Sequence, residues 1–205
     1  MEIFETMRTA SAIRRFRPDP VPDEVLQRCL QAATWAPSGG NQQRWRFVVL
    51  RSAPVREAVA VGAQRALDVI RNVYRIQDPA ADDDSPRARS ARAVIALHEN
   101  ARNVPLAVLF TMKPDPAVNP ELQGASIFPG VQNFLLALRA EGLGGLITGW
   151  ASGAEAELRQ VIGIPEDWDL STLVVAGWPQ GQHRPVRRRP LADVARLDTW
   201  DNPLS

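Results

Sequence analysis

Val131-Gln132-Asn133-Phe134-Leu135-Leu136-Ala137-Leu138-Arg139-Ala140 runs into Glu141-Gly142-Leu143-Gly144-Gly145 and then Leu146-Ile147-Thr148-Gly149, and this stretch decides the fold class. As a helix, its first part is apolar on most faces (Val131, Phe134, Leu135, Leu136, Leu138). A helix of that kind is central or lies in a subunit interface. The glycines end it, and residues 146–149 read as a short strand. Downstream, residues 154–162 read as a helix stopped by Gly163 and Pro165. Residues 171–177 then form an apolar strand, closed by Trp178-Pro179 and followed by loop to Arg189. Upstream, residues 105–112 are a strand centred on Leu106-Ala107-Val108-Leu109-Phe110, and residues 46–50 are another. Helices are expected at 23–35, where Val25, Leu26, Cys29, Leu30 and Ala33 share a face, at 54–74, and as a short piece at 91–100. In the middle helix Val55, Val59, Ala63, Ala66, Val69 and Ile70 form the stripe. Asp78-Pro79-Ala80-Ala81-Asp82-Asp83-Asp84-Ser85-Pro86 is too polar and broken to pack, so residues 76–90 are expected as a mobile loop. Strands and helices come in mixed order rather than strict alternation, which predicts an α+β fold.

The length of 205 residues suits one domain, 1–205, with a C-terminal arm from about residue 179. A net charge of +1 argues against nucleic-acid binding. No stretch supplies the ~18 consecutive apolar residues of a membrane span. Met1-Glu2-Ile3-Phe4-Glu5 lacks the basic start of a secretory signal, so a cytoplasmic location is expected. The lone Cys29 makes no internal disulfide and sits on an apolar helix face, as a buried structural thiol does. There is no Cys/His cluster for zinc. His98 beside Glu99 and His183 beside Gln182 read as solvated.

The motifs of several enzyme classes are missing. Gly142-Leu143-Gly144 has Ile147 where a dinucleotide fingerprint needs its third glycine, and it precedes a strand. The single lysine, Lys113, is not in a phosphate-binding loop, and Ser38 is not in a nucleophile elbow. What remains are two arginine clusters and one polar junction. Arg14, Arg15 and Arg17, and then Arg187, Arg188 and Arg189, read either as solvated basic faces or as clamps on a phosphate. Pro37-Ser38-Gly39-Gly40-Asn41-Gln42-Gln43, at a helix-to-strand junction, has glycines for close approach and donors and acceptors for a polar heterocycle edge.

Four segments in order resemble the FMN-dependent nitroreductase family. They are Ser11-Ala12-Ile13-Arg14-Arg15-Phe16-Arg17-Pro18; Ala36-Pro37-Ser38-Gly39-Gly40-Asn41 with Trp45 and Phe47; Val131 to Ala137 leading to Gly142-Leu143-Gly144; and Ala176-Gly177-Trp178-Pro179 with Arg188-Arg189-Pro190-Leu191. The resemblance implies a central, mostly antiparallel sheet flanked by helices in an intertwined homodimer, with FMN at the subunit interface. The helix around Val131 then becomes the dimer core. It implies Arg14 as a flavin contact, with Ser11 and Arg15 beside it. Pro37, Ser38 and Gly39 would lie against the flavin ring from the partner chain, with Asn41 and Gln43 nearby. Ile147, Thr148 and Gly149 would face flavin N5, by backbone or hydroxyl, and Arg188, flanked by Arg187 and Arg189, would hold the phosphate. The implied activity is ping-pong transfer from NAD(P)H through FMN to a small nitroaromatic, quinone or similar acceptor. Two alternatives stay open: a same-fold enzyme with a different flavin reaction, as in deiodinase-like and flavin-fragmenting relatives, and a non-catalytic flavin-binding or sequestering protein. Two departures are local. Ala10, Ser11 and Ala12 stand where the family usually has Arg-Arg-Ser, and Arg44 replaces a usual proline.

Overall fold

The computed structural model describes residues 1–73, 75 and 78–204. Four strands, β1 (Trp45–Val49), β2 (Leu106–Met112), β3 (Gly144–Thr148) and β4 (Asp169–Gly177), form one sheet in the order β1-β2-β4-β3. Every pairing is antiparallel. The helices are α1 (Ile3–Thr9), α2 (Asp23–Thr34), α3 (Ala53–Val73), α4 (Pro86–Glu99), α5 (Phe128–Ala140), α6 (Trp150–Gly153), α7 (Glu155–Ile162) and α8 (Leu191–Val194). The α+β expectation holds.

β2 explains the layering. All seven of its residues are buried, because the strand is central and covered on both faces. Leu106, Val108, Phe110 and Met112 point to α2 and α5, meeting Leu26, Cys29, Ala33, Val131, Phe134 and Leu138. Ala107 and Leu109 point the other way, to Val59 and Ala63 of α3, Trp150 of α6 and Leu158 of α7. Burial pushes the Cys29 thiol up to about 12, which makes it inert, as the sequence predicts. Among the described residues no helix is long and apolar enough to cross a membrane.

Three local expectations change, and one falls on residues that are not described. Residues 86–90 are helical, not loop: Ser85 caps α4 by accepting from Ala88 N at 3.1 Å, and Pro86 occupies the first turn, where its missing N–H costs nothing. Tyr74, Ile76 and Gln77, the end of one predicted helix and the start of the predicted loop, lie outside the described residues. The stripe of α3 is wider than its core contact: Ala58, Val59, Gly62, Ala63 and Leu67 are buried, whereas Val69 is exposed. Finally, α5 spends much of its apolar surface within its own chain, on Val131, Phe134 and Leu138. Leu135, Leu136 and Ala137 stay half-buried.

The chain entering from α1 runs beside the outer edge of β3. Ala12 pairs with Gly145 in parallel, and Ile13 N donates to Gly145 O. Only glycine fits at 144, where a Cβ would lie 2.3 Å from the Ile13 side chain. The C-terminal arm is tied to the same place by Val186 N donating to Arg8 O at 2.8 Å.

Candidate functional site

Beyond the Ile13 contact the edge of β3 is free among the described residues. Gly145 O faces that edge, so by the two-residue period of a strand the backbone groups of Ile147 face it too. Thr148 faces the opposite way, toward β4, and its hydroxyl donates to Leu173 O at 3.0 Å. At this place backbone groups, not the Thr148 hydroxyl, are what β3 offers a ligand. The Ile147 side chain is 47% exposed, an apolar platform beside unpaired backbone.

Two cavities meet here and share Arg14, Leu146 and Ile147. The smaller, of about 210 Å³, is lined by Ser11, Arg14, Gln132, Arg139 and His183. The larger, of about 680 Å³, lies between α3 and α4 and is walled by Ala66, Val69, Ile70, Val94, His98 and Thr148. Arg14 stands at their junction, half-buried, with no hydrogen bond and no acidic partner among the described residues. The other cations are occupied: Arg139 donates to Thr9 Oγ1 at 2.8 Å, and Arg65 bonds Gly153 O and Glu157. A half-buried guanidinium without a counter-charge is a ready site for an anionic or carbonyl-rich ligand.

Of the residues singled out in the sequence, Ser11, Arg14, Ile147, Thr148 and Gly149 come together. Within one chain Ser38, Gly39 and Gln43 line a different cavity of about 320 Å³ beside Lys113 and Asp115. Asn41 and Gln43 there have φ of 54° and 52°, backbone held in the left-handed region, and Gln43 N bonds Ser38 Oγ at 3.0 Å. Pro37 begins the same turn. Arg15 is exposed, as are Arg187, Arg188 and Arg189. Among the described residues Arg188 bonds only the carbonyl of Arg187.

Neither histidine is the freely solvated side chain that the sequence suggests. His98 is half-buried, its Nδ1 2.8 Å from Val94 O and its ring edge-on to Trp150 at 5.3 Å. Its spacing from Val94 and the buried Ile95, i+4 and i+3, places it on their helix face and is the available signal. His183 has both ring nitrogens shielded from solvent and without a hydrogen bond. No pattern in a loop could announce that. Burial first, then Arg139, holds His183 below the usual histidine range against the nearby carbonyls of Gly142, Thr9 and Leu143. Burial and, less strongly, Arg14 do the same for His98 against the Val94 carbonyl. The unfolded chain therefore takes up protons at a higher pH than the folded one, and stability is lost as pH falls below about 6.5. A thermal melt at about pH 5.5 is expected to have a lower midpoint than one at about pH 7.5. The variant carrying His98→Gln and His183→Gln should lose part of that difference; an unchanged difference would contradict the assignment.

The nitroreductase-family profile matches residues 7–178. The chain belongs to the nitroreductase family. This nitroreductase-family chain is 30% identical over 194 residues to the 5,6-dimethylbenzimidazole synthase of Rhodospirillum rubrum, covering 90% of this chain and 82% of that one. It is also 30% identical to the NADH dehydrogenase of Thermus thermophilus, with 89% of each chain covered. In structure it is similar to the FMN and NADPH-dependent nitroreductase of Sphigopyxis sp. strain HMH, with a TM-score of 0.71, 21% identity, and coverage of 98% of this chain and 100% of that one.

Proposed function

We propose that the chain is a cytoplasmic FMN-dependent NAD(P)H oxidoreductase of nitroreductase type, a single domain with a C-terminal arm, active as a homodimer on a small nitroaromatic, quinone or similar acceptor. The observation that carries this is Arg14, half-buried and without a counter-charge where two cavities meet the free edge of β3. These residues fit a flat, polar-edged ring with an anionic tail. Ser11, Arg14 and Arg139 would hold polar and anionic groups, and Arg15 with Arg187, Arg188 and Arg189 is assigned to the phosphate end. The backbone of Ile147 and Gly149 would meet the ring edge. Pro37, Ser38, Gly39, Asn41 and Gln43 of a second copy would close the slot. When bound, FMN supplies the two-electron chemistry between NAD(P)H and the acceptor. The chain itself binds, orients and excludes water, the last through Ile147, Val69 and Ile70.

The need for a second copy has its own support. Ile3, Phe4 and Met7 of α1 and Leu191, Val194 and Trp200 of the arm are exposed, Trp200 at 88%. Apolar surface of this extent marks an interface. Light scattering at low micromolar concentration is expected to give a dimer mass, and removal of the arm from residue 190 onward to weaken the dimer. A monomeric mass for the full chain would overturn this.

The test of function is absorbance of the protein with FMN, followed by NADH and NADPH oxidation with a nitroaromatic or a quinone. Steady turnover is expected. Failure to bind FMN at tens of micromolar would overturn the proposal. The 30% identity to a 5,6-dimethylbenzimidazole synthase favours a second reading, a different flavin reaction on the same fold. Loss of the flavin spectrum without acceptor turnover would support that reading. Stable FMN binding with no oxidation of either nucleotide would support a flavin-binding protein.

A further inference from the structure

We infer that His98 is a ligand-reading residue: its Nε2 accepts a hydrogen bond from an N–H or O–H group carried by a flat ring bound at the free edge of β3. The geometry begins on α4, where Val94 and His98 stand one turn apart and both line the larger cavity. A carbonyl only accepts, so the 2.8 Å contact between Nδ1 and Val94 O places the hydrogen on Nδ1. In the neutral ring Nε2 then carries a lone pair. The ring cannot turn freely, because the fully buried Trp150 packs against it at 5.3 Å. Nε2 makes no hydrogen bond among the described residues. Unlike the nitrogens of His183, it is not shut off from solvent.

What surrounds it makes that lone pair distinctive. Ala66, Val69, Ile70 and Ile147 form apolar wall, the charged side chains lining the cavity, Arg14 and Arg65, only donate, and Ser152, the lining hydroxyl besides Thr148, is exposed to solvent. The Thr148 hydroxyl is directed to Leu173 O. Burial first, and then Arg14, hold His98 below the usual histidine range against the Val94 carbonyl, which favours the neutral ring and so keeps Nε2 an acceptor. An acceptor in an apolar cavity favours a ligand that brings a donor to it and penalises an isostere that cannot. Two sources share this chemistry: the imide N–H of the flavin ring and a hydroxyl or amide N–H on a flat substrate. The first rests on the function proposed above; the second does not.

Two matched pairs separate them. FMN against its N3-methyl derivative tests the flavin source, and 2-naphthol against 2-methoxynaphthalene tests the substrate source. Dissociation constants are measured by fluorescence titration for the parent, His98→Phe and His98→Gln. In at least one pair the parent is expected to bind the donor-bearing member about tenfold more tightly. His98→Phe should bring that ratio near one, and His98→Gln, whose amide oxygen accepts, should restore it. Which pair responds names the source. No preference in either pair, or the same ratio in the parent and His98→Phe, would overturn the inference. If the parent binds no FMN, the proposed function fails while the naphthol pair still decides the role of His98.

Discussion

Replacing Arg14 with alanine raises the FMN dissociation constant about ten- to a hundredfold, the effect of losing one charge-assisted hydrogen bond of about 1.5–3 kcal/mol. This is the expected result of a flavin titration, and the site explains its selectivity. Arg14 has no hydrogen bond and no ion pair among the described residues, so its removal breaks nothing inside the chain. The thermal midpoint should therefore stay close to the parent's. It stands where both cavities meet Ile147, so any ligand at the β3 edge must pass beside it. Arg14→Lys keeps the charge but loses the planar fork, and should recover only part of the affinity. Arg15→Ala is the comparison: Arg15, assigned to the phosphate end, is exposed and lines neither cavity, so its loss should cost less affinity. The effect should shrink in high salt less than a surface pair would, since a half-buried contact is screened less. An unchanged affinity for Arg14→Ala would mean that the cation is not a ligand group.

How much of this was legible depends on whether local pattern or tertiary packing set the outcome. β2 was readable because a strand covered on both faces must be apolar throughout, and Leu106 to Phe110 has no other use. The resemblance assembled Ser11, Arg14, Ile147, Thr148 and Gly149, and the fold brings these together. Residues 37–43 form a turn of the expected chemistry, but one chain leaves them at another cavity. The slot proposed above is shared by two copies and cannot close in one. The short helices α1, α6 and α8 went unread, since four to seven residues carry too little periodicity. α4 was shortened because the acids before it masked Ser85 and Pro86, a cap and a first-turn proline. The burial of His98 and that of His183 escape the sequence for different reasons. The neighbour Glu99 obscured a helix phase that was there to read, whereas the burial of His183 depends on how the arm returns to Thr9 and Leu143.

No pattern in the sequence marks Gly62, yet its substitution should have the largest effect on stability. α3 and α6 cross there so closely that a Cβ at 62 would lie 2.1 Å from the carbonyl oxygen of Trp150 and 3.0 Å from the Ala154 side chain. The contact is reciprocal: a Cβ at Gly153 would lie 2.7 Å from Gly62 O. Backbone cannot move aside as a flexible side chain can, so Gly62→Ala must separate the helices. Separation strips packing from Trp150, Val59, Ala63 and Leu158, all at or near full burial. The cost of such overpacking is about 3 kcal/mol. For a chain of this length that lowers the melting midpoint by about 6–12 °C. Gly181→Ala is the matched control, since nothing lies within 4 Å of its Cβ position, and it should shift stability by less than about 0.5 kcal/mol. The consequence reaches the site through chain connectivity. α6 starts at Trp150, directly after Thr148 and Gly149, so displacing α6 pulls on the strand end that borders the larger cavity. Gly62→Ala should thus weaken FMN binding even at temperatures where the variant remains folded, whereas Arg14→Ala weakens binding without lowering the midpoint. A Gly62→Ala protein with the parent's midpoint and affinity would mean that the two helices can part without loss.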